Sequence, residues 1–201
     1  MPGNAAATAA NILAHQSLFR LGLAADLAAM AGEVILALLF YELFWPVSRS
    51  LALLVAFFRI MWAAIYAANS LTHLAPLYFL GGASYLSGFT TGQLQALALL
   101  SLRMHAAGFN IGLIYFRIDC VLIGWLIVRS DFLPWLLGVL MGLAGVCYLV
   151  NSFANILLPP GDNILYPYIL FPCLPGEFGL MLWLLFFAVN ADRWKAQAAK
   201  V

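Results

Sequence analysis

Charged residues are scarce in this chain. Only 8% of its 201 residues are Asp, Glu, Lys or Arg, whereas 65% are hydrophobic. A soluble domain has about 25% charged residues, so this composition excludes an ordinary soluble fold and indicates a membrane protein. The basic residues are scattered singly and the net charge is +1. Since nucleic-acid binding needs clustered cations to neutralise phosphates, we expect no nucleic-acid partner.

Cysteine is also scarce, and the familiar catalytic motifs are missing. Cys120, Cys147 and Cys173 form an odd set without Cys-x-x-Cys spacing, which is typical of small buried hydrophobic residues. The chain contains no His-Glu-x-x-His, no Gly-x-Ser-x-Gly and no phosphate-binding glycine loop. The sequence therefore predicts no metal site and no cofactor, and it does not indicate an enzyme.

Long apolar runs are what the chain has in abundance. About 20 apolar residues cross the hydrocarbon core of a bilayer, so the sequence predicts an all-helical, multi-pass transmembrane bundle in a single domain, 1-201. Ser50, Thr90 with Gln93, and Asp131 are the expected N-caps of the second to fourth spans. Prolines end the fourth span and interrupt the fifth. The five predicted spans cover residues of about 18-44, 51-80, 93-128, 132-158 and 164-189, with breaks at Gly81-Gly82, Pro159-Pro160-Gly161, Pro172 and Pro175.

Loop charges predict the orientation, because Lys and Arg accumulate on the cytoplasmic side. The first and third loops contain Arg49 and Arg129, and the tail at 190-201 contains three more basic residues, whereas the other two loops contain none. We therefore expect a cytoplasmic C-terminus and an external segment at 1-17, which lacks the features of a signal peptide. An external N-terminus without a signal suggests that an upstream span is missing.

Six stretches of the sequence form a recognisable set, and they begin at Asn4, Phe57, Gln93, Arg129, Asn151 and Gly176. They resemble bacterial membrane proteins catalogued as domain-of-unknown-function family 4386. The resemblance covers almost the whole chain and implies the bacterial cytoplasmic membrane and a family architecture that has one more helix at its start. Asp119 stands where the family pattern leads us to expect His, and Arg117 where it leads us to expect a small residue. Because the family has no established activity, the resemblance implies no function.

Four ionisable residues lie inside the apolar runs at similar distances from their cytoplasmic ends. Each unpaired charge in hydrocarbon costs roughly 2.5 to 3.5 kcal/mol, so the sequence predicts ion pairs between helices. Arg117 and Asp119 are two residues apart and cannot share one helical face, so we expect them to contact different neighbours. The pairs either fix helix packing or relay protons or ions. The four residues are Glu33, Arg59, Arg117 and Asp119.

A second polar group is predicted in the outer half of the spans. Its acids and imidazoles reach one level when they are counted along the helices, and a proline-broken helix beside an acid is a common setting for a binding site. The alternative is that each side chain is satisfied separately and holds helices together. The ligand-binding candidates are Asp26, His73, His105, Glu177, Asn110 and Asn151.

Three functional hypotheses follow. The first is a small membrane receptor or transporter-like module that binds a small or lipophilic ligand in the outer pocket. The second is a membrane-embedded redox or metal-dependent enzyme, with haem or a metal held by His73 and His105. The third is a structural subunit without a ligand, in a homo-oligomer or beside a partner subunit. Small residues at four-residue spacing, such as Gly138 and Gly142, favour close helix packing inside the lipid bilayer.

Overall fold

A computed structural model describes residues 3–157, 168–171 and 173–200. Within these ranges every regular element is helical, which confirms the all-helical class. The breaks expected at Pro159, Pro160, Gly161 and Pro172 lie outside the described residues. The helices are α1 (Ala5–Ala14), α2 (Gln16–Phe44), α3 (Arg49–Phe79), α4 (Thr91–Arg129), α5 (Trp135–Leu157), α6 (Cys173–Phe186) and α7 (Ala191–Ala198), with short 3-10 helices at Ser84–Leu86 and Tyr168–Leu170.

The helices α2 to α5 are each long and apolar enough to cross a bilayer. They match the first four predicted spans and show a multi-pass membrane protein. The fifth span is more complicated, because Leu174–Phe186 and Ala191–Ala198 are bent by 102° relative to each other. The two helices count as a fifth span only if the bent pair is taken together. The bend lies near Ala188, whose φ of 56° is unusual for a residue with a side chain.

Only one of the three predicted N-caps is found at the start of its helix. At α4 the predicted capping box is present: Thr90 N donates to Gln93 Oε1 at 2.8 Å, and Gln93 N donates to Thr90 Oγ1 at 3.3 Å. The other two predicted caps are wrong. Ser50 lies inside α3, where Ser48 Oγ accepts from Leu51 N instead. Asp131 lies four residues before α5, which begins directly after Pro134. Proline lacks an amide hydrogen and therefore suits the start of a helix, where that hydrogen would have no partner.

The chain folds as two compact units. The first unit contains residues 1–32 and 63–112, and thus α1, the first half of α2, the end of α3 and the first half of α4. Its described core is small, and it includes Ala9, Ile12, Tyr66 and Ala98. Polar side chains on α2, α3 and α4 also contact one another in this unit.

The second unit contains residues 33–62 and 113–201 and holds the larger apolar core, with Phe44, Val55 and Ile123 fully buried. Helices α4 and α5 pack closely in this unit. A Cβ built on Gly124 would lie 2.5 Å from Gly142 N and 2.7 Å from Gly138 O, closer than real Cβ atoms approach other atoms. The predicted small-residue face of α5 therefore packs on a glycine of α4, and the two backbones touch directly.

The C-terminal tail forms α7 within the second unit. The side chain of Asn190 caps the helix by accepting a hydrogen bond from Arg193 N. Trp194 Nε1 donates to Leu43 O at 2.9 Å, and Gln197 Oε1 accepts from Asp131 N at 3.0 Å. The tail is thus attached to the end of α2 and to the loop that precedes α5.

Candidate functional site

Arg59 is the centre of a buried charge cluster in the second unit. Its Nη1 donates to Glu33 Oε2 at 2.6 Å, and its Nη2 donates to Asp119 Oδ2 at 2.5 Å. One guanidinium on α3 therefore bridges an acid on α2 and an acid on α4. Arg59 is 4% exposed and Asp119 is fully buried. Such burial is tolerated because charged hydrogen bonds replace part of the lost hydration, although Arg59 Nε and Asp119 Oδ1 are buried without a hydrogen-bond partner.

Aromatic rings enclose the same guanidinium. Arg59 Cζ lies 4.8 Å from the centroid of the Phe40 ring and 5.4 Å from that of the Phe116 ring. Both distances allow a cation–π contact, which is stronger where water is excluded. The rings and the two carboxylates together fix the position of Arg59.

Arg117 and Asp119 contact different neighbours, as their spacing in α4 implies. Asp119 is directed at Arg59, whereas the Arg117 guanidinium lies 5.1 Å from the ring centroid of Tyr148 on α5. Arg117 also acts electrostatically on Glu177 of α6. The predicted set of four charges is therefore divided between a cluster at Arg59 and a second cluster of Arg117, Tyr148 and Glu177.

Glu177 is half-buried on α6, where that helix approaches α5 closely. A Cβ built on the preceding Gly176 would lie 2.6 Å from Leu140 O, so only glycine permits this approach. The Tyr148 hydroxyl donates a hydrogen bond to the Glu177 carboxylate. Glycine at position 176 and tyrosine at position 148 together hold the acid inside the second unit.

A cavity of about 770 Å³ lies beside these charges. This volume is in the range of small-molecule sites, which extend over roughly 300 to 1,000 Å³. Helices α2 to α6 all contribute to its wall, which consists of three charged and nine apolar side chains. The lining residues are Glu33, Arg59, Glu177, Leu36, Phe40, Phe116, Met141, Phe178, Leu180, Met181, Leu184 and Leu185.

The first unit contains a separate polar cluster. His73 Nδ1 lies 3.8 Å from Asp26 Oδ2, and the rings of His73 and His105 are 4.9 Å apart between centroids. Asn69 anchors His105, because its Nδ2 donates to His105 O at 2.8 Å and its carbonyl lies 3.2 Å from His105 Nδ1. The Tyr66 hydroxyl interacts with Asp26. Residues from α2, α3 and α4 therefore meet here.

The six predicted ligand-binding residues fall in different places. Asp26, His73 and His105 are brought together in the first unit. The side chain of Asn110 in that unit donates to Ala106 O on its own helix. Asn151 and Glu177 belong to the second unit, where Asn151 is buried on α5 and Glu177 lines the cavity.

Sequence reasoning missed several members of the two clusters. Tyr66, Asn69 and His73 are separated by three and four residues on α3, so they share one helical face. That spacing was a usable signal for the cluster in the first unit. Tyr148 had no comparable signal, because its contact with Glu177 depends on how α5 and α6 pack.

Metal or haem ligation by His73 and His105 stays a prediction. Among the described residues, no three His, Cys, Asp or Glu side chains are grouped as a metal site. His105 Nδ1 lies within hydrogen-bond distance of the Asn69 carbonyl, as expected for an imidazole that stabilises helix packing.

No curated protein and no solved structure matches the chain. A family model described as "Domain of unknown function (DUF4386)" matches residues 1–188, which is nearly the whole chain. The chain therefore belongs to the DUF4386 family.

Proposed function

We propose that this protein is a small membrane receptor or transporter-like module that binds a small lipophilic ligand in the cavity of the second unit. The observation that supports this proposal is the composition of the cavity wall, which combines nine apolar side chains with three charged ones. Ligand sites typically have this character, since apolar walls supply affinity and a few polar groups fix the orientation. A cavity that resulted only from imperfect packing would need no charged side chains in its wall.

The ligand enters from the bilayer. Four residues of the cavity wall are also exposed at the surface of the chain: Leu36, Phe178, Met181 and Leu185. All four are apolar, and a surface of this kind on a membrane-spanning helix faces lipid tails. A molecule already dissolved in the bilayer thus reaches the cavity by moving sideways between α2 and α6.

This proposal moves the ligand site away from the polar group that the sequence suggested. Of the six candidates, Glu177 remains at the site, and Glu33 and Arg59 join it from the predicted ion pairs. The cluster of Asp26, His73 and His105 takes the role of a packing contact in the first unit. The positive charges of the loops and tail support a cytoplasmic C-terminus. The resemblance to bacterial membrane proteins supports a location in the bacterial cytoplasmic membrane.

A cavity-filling substitution tests the proposal. Met181→Trp places a large ring in the cavity wall, whereas Leu182→Trp changes the next residue of α6, which is similarly exposed and does not line the cavity. The probe is dodecanol, counted as protein-bound molecules by native mass spectrometry of the detergent-solubilised protein. We expect Met181→Trp to reduce the bound dodecanol and Leu182→Trp to leave it unchanged.

The same preparation separates the alternatives. Equal binding by both variants, or no binding to the unaltered protein, contradicts the proposal. A coloured or metal-containing sample would favour the redox or metal-dependent enzyme at His73 and His105. A stoichiometric partner that co-purifies with a protein unable to bind dodecanol would favour the structural subunit, and a stable self-association would favour the homo-oligomer.

A further inference from the structure

We infer that the polar head of the ligand is an ammonium group that carries N–H donors, so that the cavity selects a cationic amphiphile. This inference rests on the proposed function and names the class of ligand for the same cavity. It follows from the balance of charges around the cavity and from which polar atoms are still available there.

The charges around the cavity do not balance. Two guanidiniums, those of Arg59 and Arg117, lie among three carboxylates. Glu33 and Asp119 share Arg59, and both guanidiniums act on Glu177. With all three carboxylates ionised, one negative charge is left over in a membrane-embedded site, where an uncompensated charge is costly. A cationic head group would balance it.

Arg59, the cation of the cavity wall, already donates hydrogen bonds to two acids. Nη1 and Nη2 of Arg59 each donate to an acid, and the side chain is only 5% exposed. Its Nε makes no hydrogen bond, but it is buried. A carboxylate or phosphate head group would consequently find almost no exposed guanidinium N–H at Arg59, and it would approach two acids of the wall, Glu33 and Glu177, at close range.

An acceptor, by contrast, is available at the wall. Glu33 uses Oε2 for Arg59, and its side chain is 21% exposed. Among the described residues, Glu33 Oε1 makes no hydrogen bond, and it is not one of the buried side-chain atoms that lack a partner. An ionised carboxylate oxygen only accepts hydrogen bonds. The position next to Glu33 Oε1 therefore suits a donor such as an ammonium N–H.

Three probes with the same chain length test the inference. Dodecylammonium, dodecanol and dodecanoate differ only in the head group, and each is counted on the protein by native mass spectrometry at neutral pH. We expect dodecylammonium to bind at least about tenfold more tightly than the other two, since hydrogen bonds to charged groups are typically worth that factor or more. Dodecanoate or dodecanol binding as tightly as dodecylammonium would overturn the inference.

A variant then identifies the anchor. Glu33→Gln keeps the shape of the side chain and leaves Arg59 paired with Asp119, so it should fold. We expect it to lose about tenfold in dodecylammonium binding with little change for dodecanol. Because each probe is compared with itself between variants, its partition into detergent cancels. Glu42→Gln, which removes an exposed acid from the same helix outside this cavity, is the matched control.

The outcomes separate the two proposals. If none of the three probes binds, the proposed function fails and the inference fails with it. If dodecanol binds in the cavity and Glu33→Gln reduces the binding of all three probes equally, the cavity is a ligand site, but Glu33 does not recognise the head group. That result would overturn the inference and leave the proposed function standing. Should Glu33→Gln unfold, Glu177→Gln provides the second test, and unchanged dodecylammonium binding by that folded variant would overturn the selection of a cation.

Discussion

The most direct test of the buried charge cluster is the removal of Arg59, because one guanidinium balances two acids. Arg59→Met leaves Glu33 and Asp119 without their shared cation. Removing one partner of a buried ion pair costs about 3 to 5 kcal/mol. For a protein of this size 1 kcal/mol shifts Tm by about 2 to 4 °C, so we expect Tm to fall by roughly 6 to 20 °C. The measurement is thermal unfolding in detergent.

The comparison with Asp119→Asn makes the test decisive. This substitution leaves the pair of Arg59 and Glu33 intact, so its cost should be that of a weakened hydrogen bond, about 1 to 3 kcal/mol. Combining Arg59→Met with Asp119→Asn and Glu33→Gln removes all three charges and should recover much of the lost stability. Arg49→Met, at the exposed start of α3, is the control. An equal fall in Tm for Arg59→Met and Asp119→Asn would refute the shared-cation reasoning.

Three further predictions concern packing and helix ends. Gly124→Ala forces a Cβ against the backbone of α5 and should cost about 1 to 3 kcal/mol in thermal unfolding, whereas Gly22→Ala, with no atom within 4 Å, should cost almost nothing. Trp194→Phe removes the hydrogen bond to Leu43 O, worth about 1 kcal/mol, and should speed limited proteolysis of α7; an unchanged rate contradicts the docking of the tail. Thr90→Ala should cost about 1 kcal/mol through loss of the α4 capping box, and Thr90→Ser should restore most of it.

The helices could be predicted from the sequence because their signal is local. An apolar run of bilayer length specifies its helix without reference to any other segment, and four of the five predicted spans match single helices. The fifth does not, since Phe186 ends α6 and the chain bends by 102° before α7. The residues that follow Phe186 remain apolar up to Val189. Composition alone therefore extends the predicted span beyond the residue at which α6 ends.

The partners of the charges depend on packing, which a single sequence records weakly. The cost of burial predicted that Arg59 would be paired, but the choice of Glu33 and Asp119 follows from the contact of α2, α3 and α4.

The sequence placed Glu177 with Asp26 because it lies beside the prolines of the fifth predicted span. In the structure Glu177 belongs to the second unit, where the Tyr148 hydroxyl of α5 donates to its carboxylate, and Asp26 belongs to the first unit. The contact of Glu177 depends on which faces of α5 and α6 meet, and the close approach of Gly176 to Leu140 O fixes those faces. Spacing along a single helix carries no record of such a contact, so the neighbours of Glu177 could not be predicted from its position in the chain.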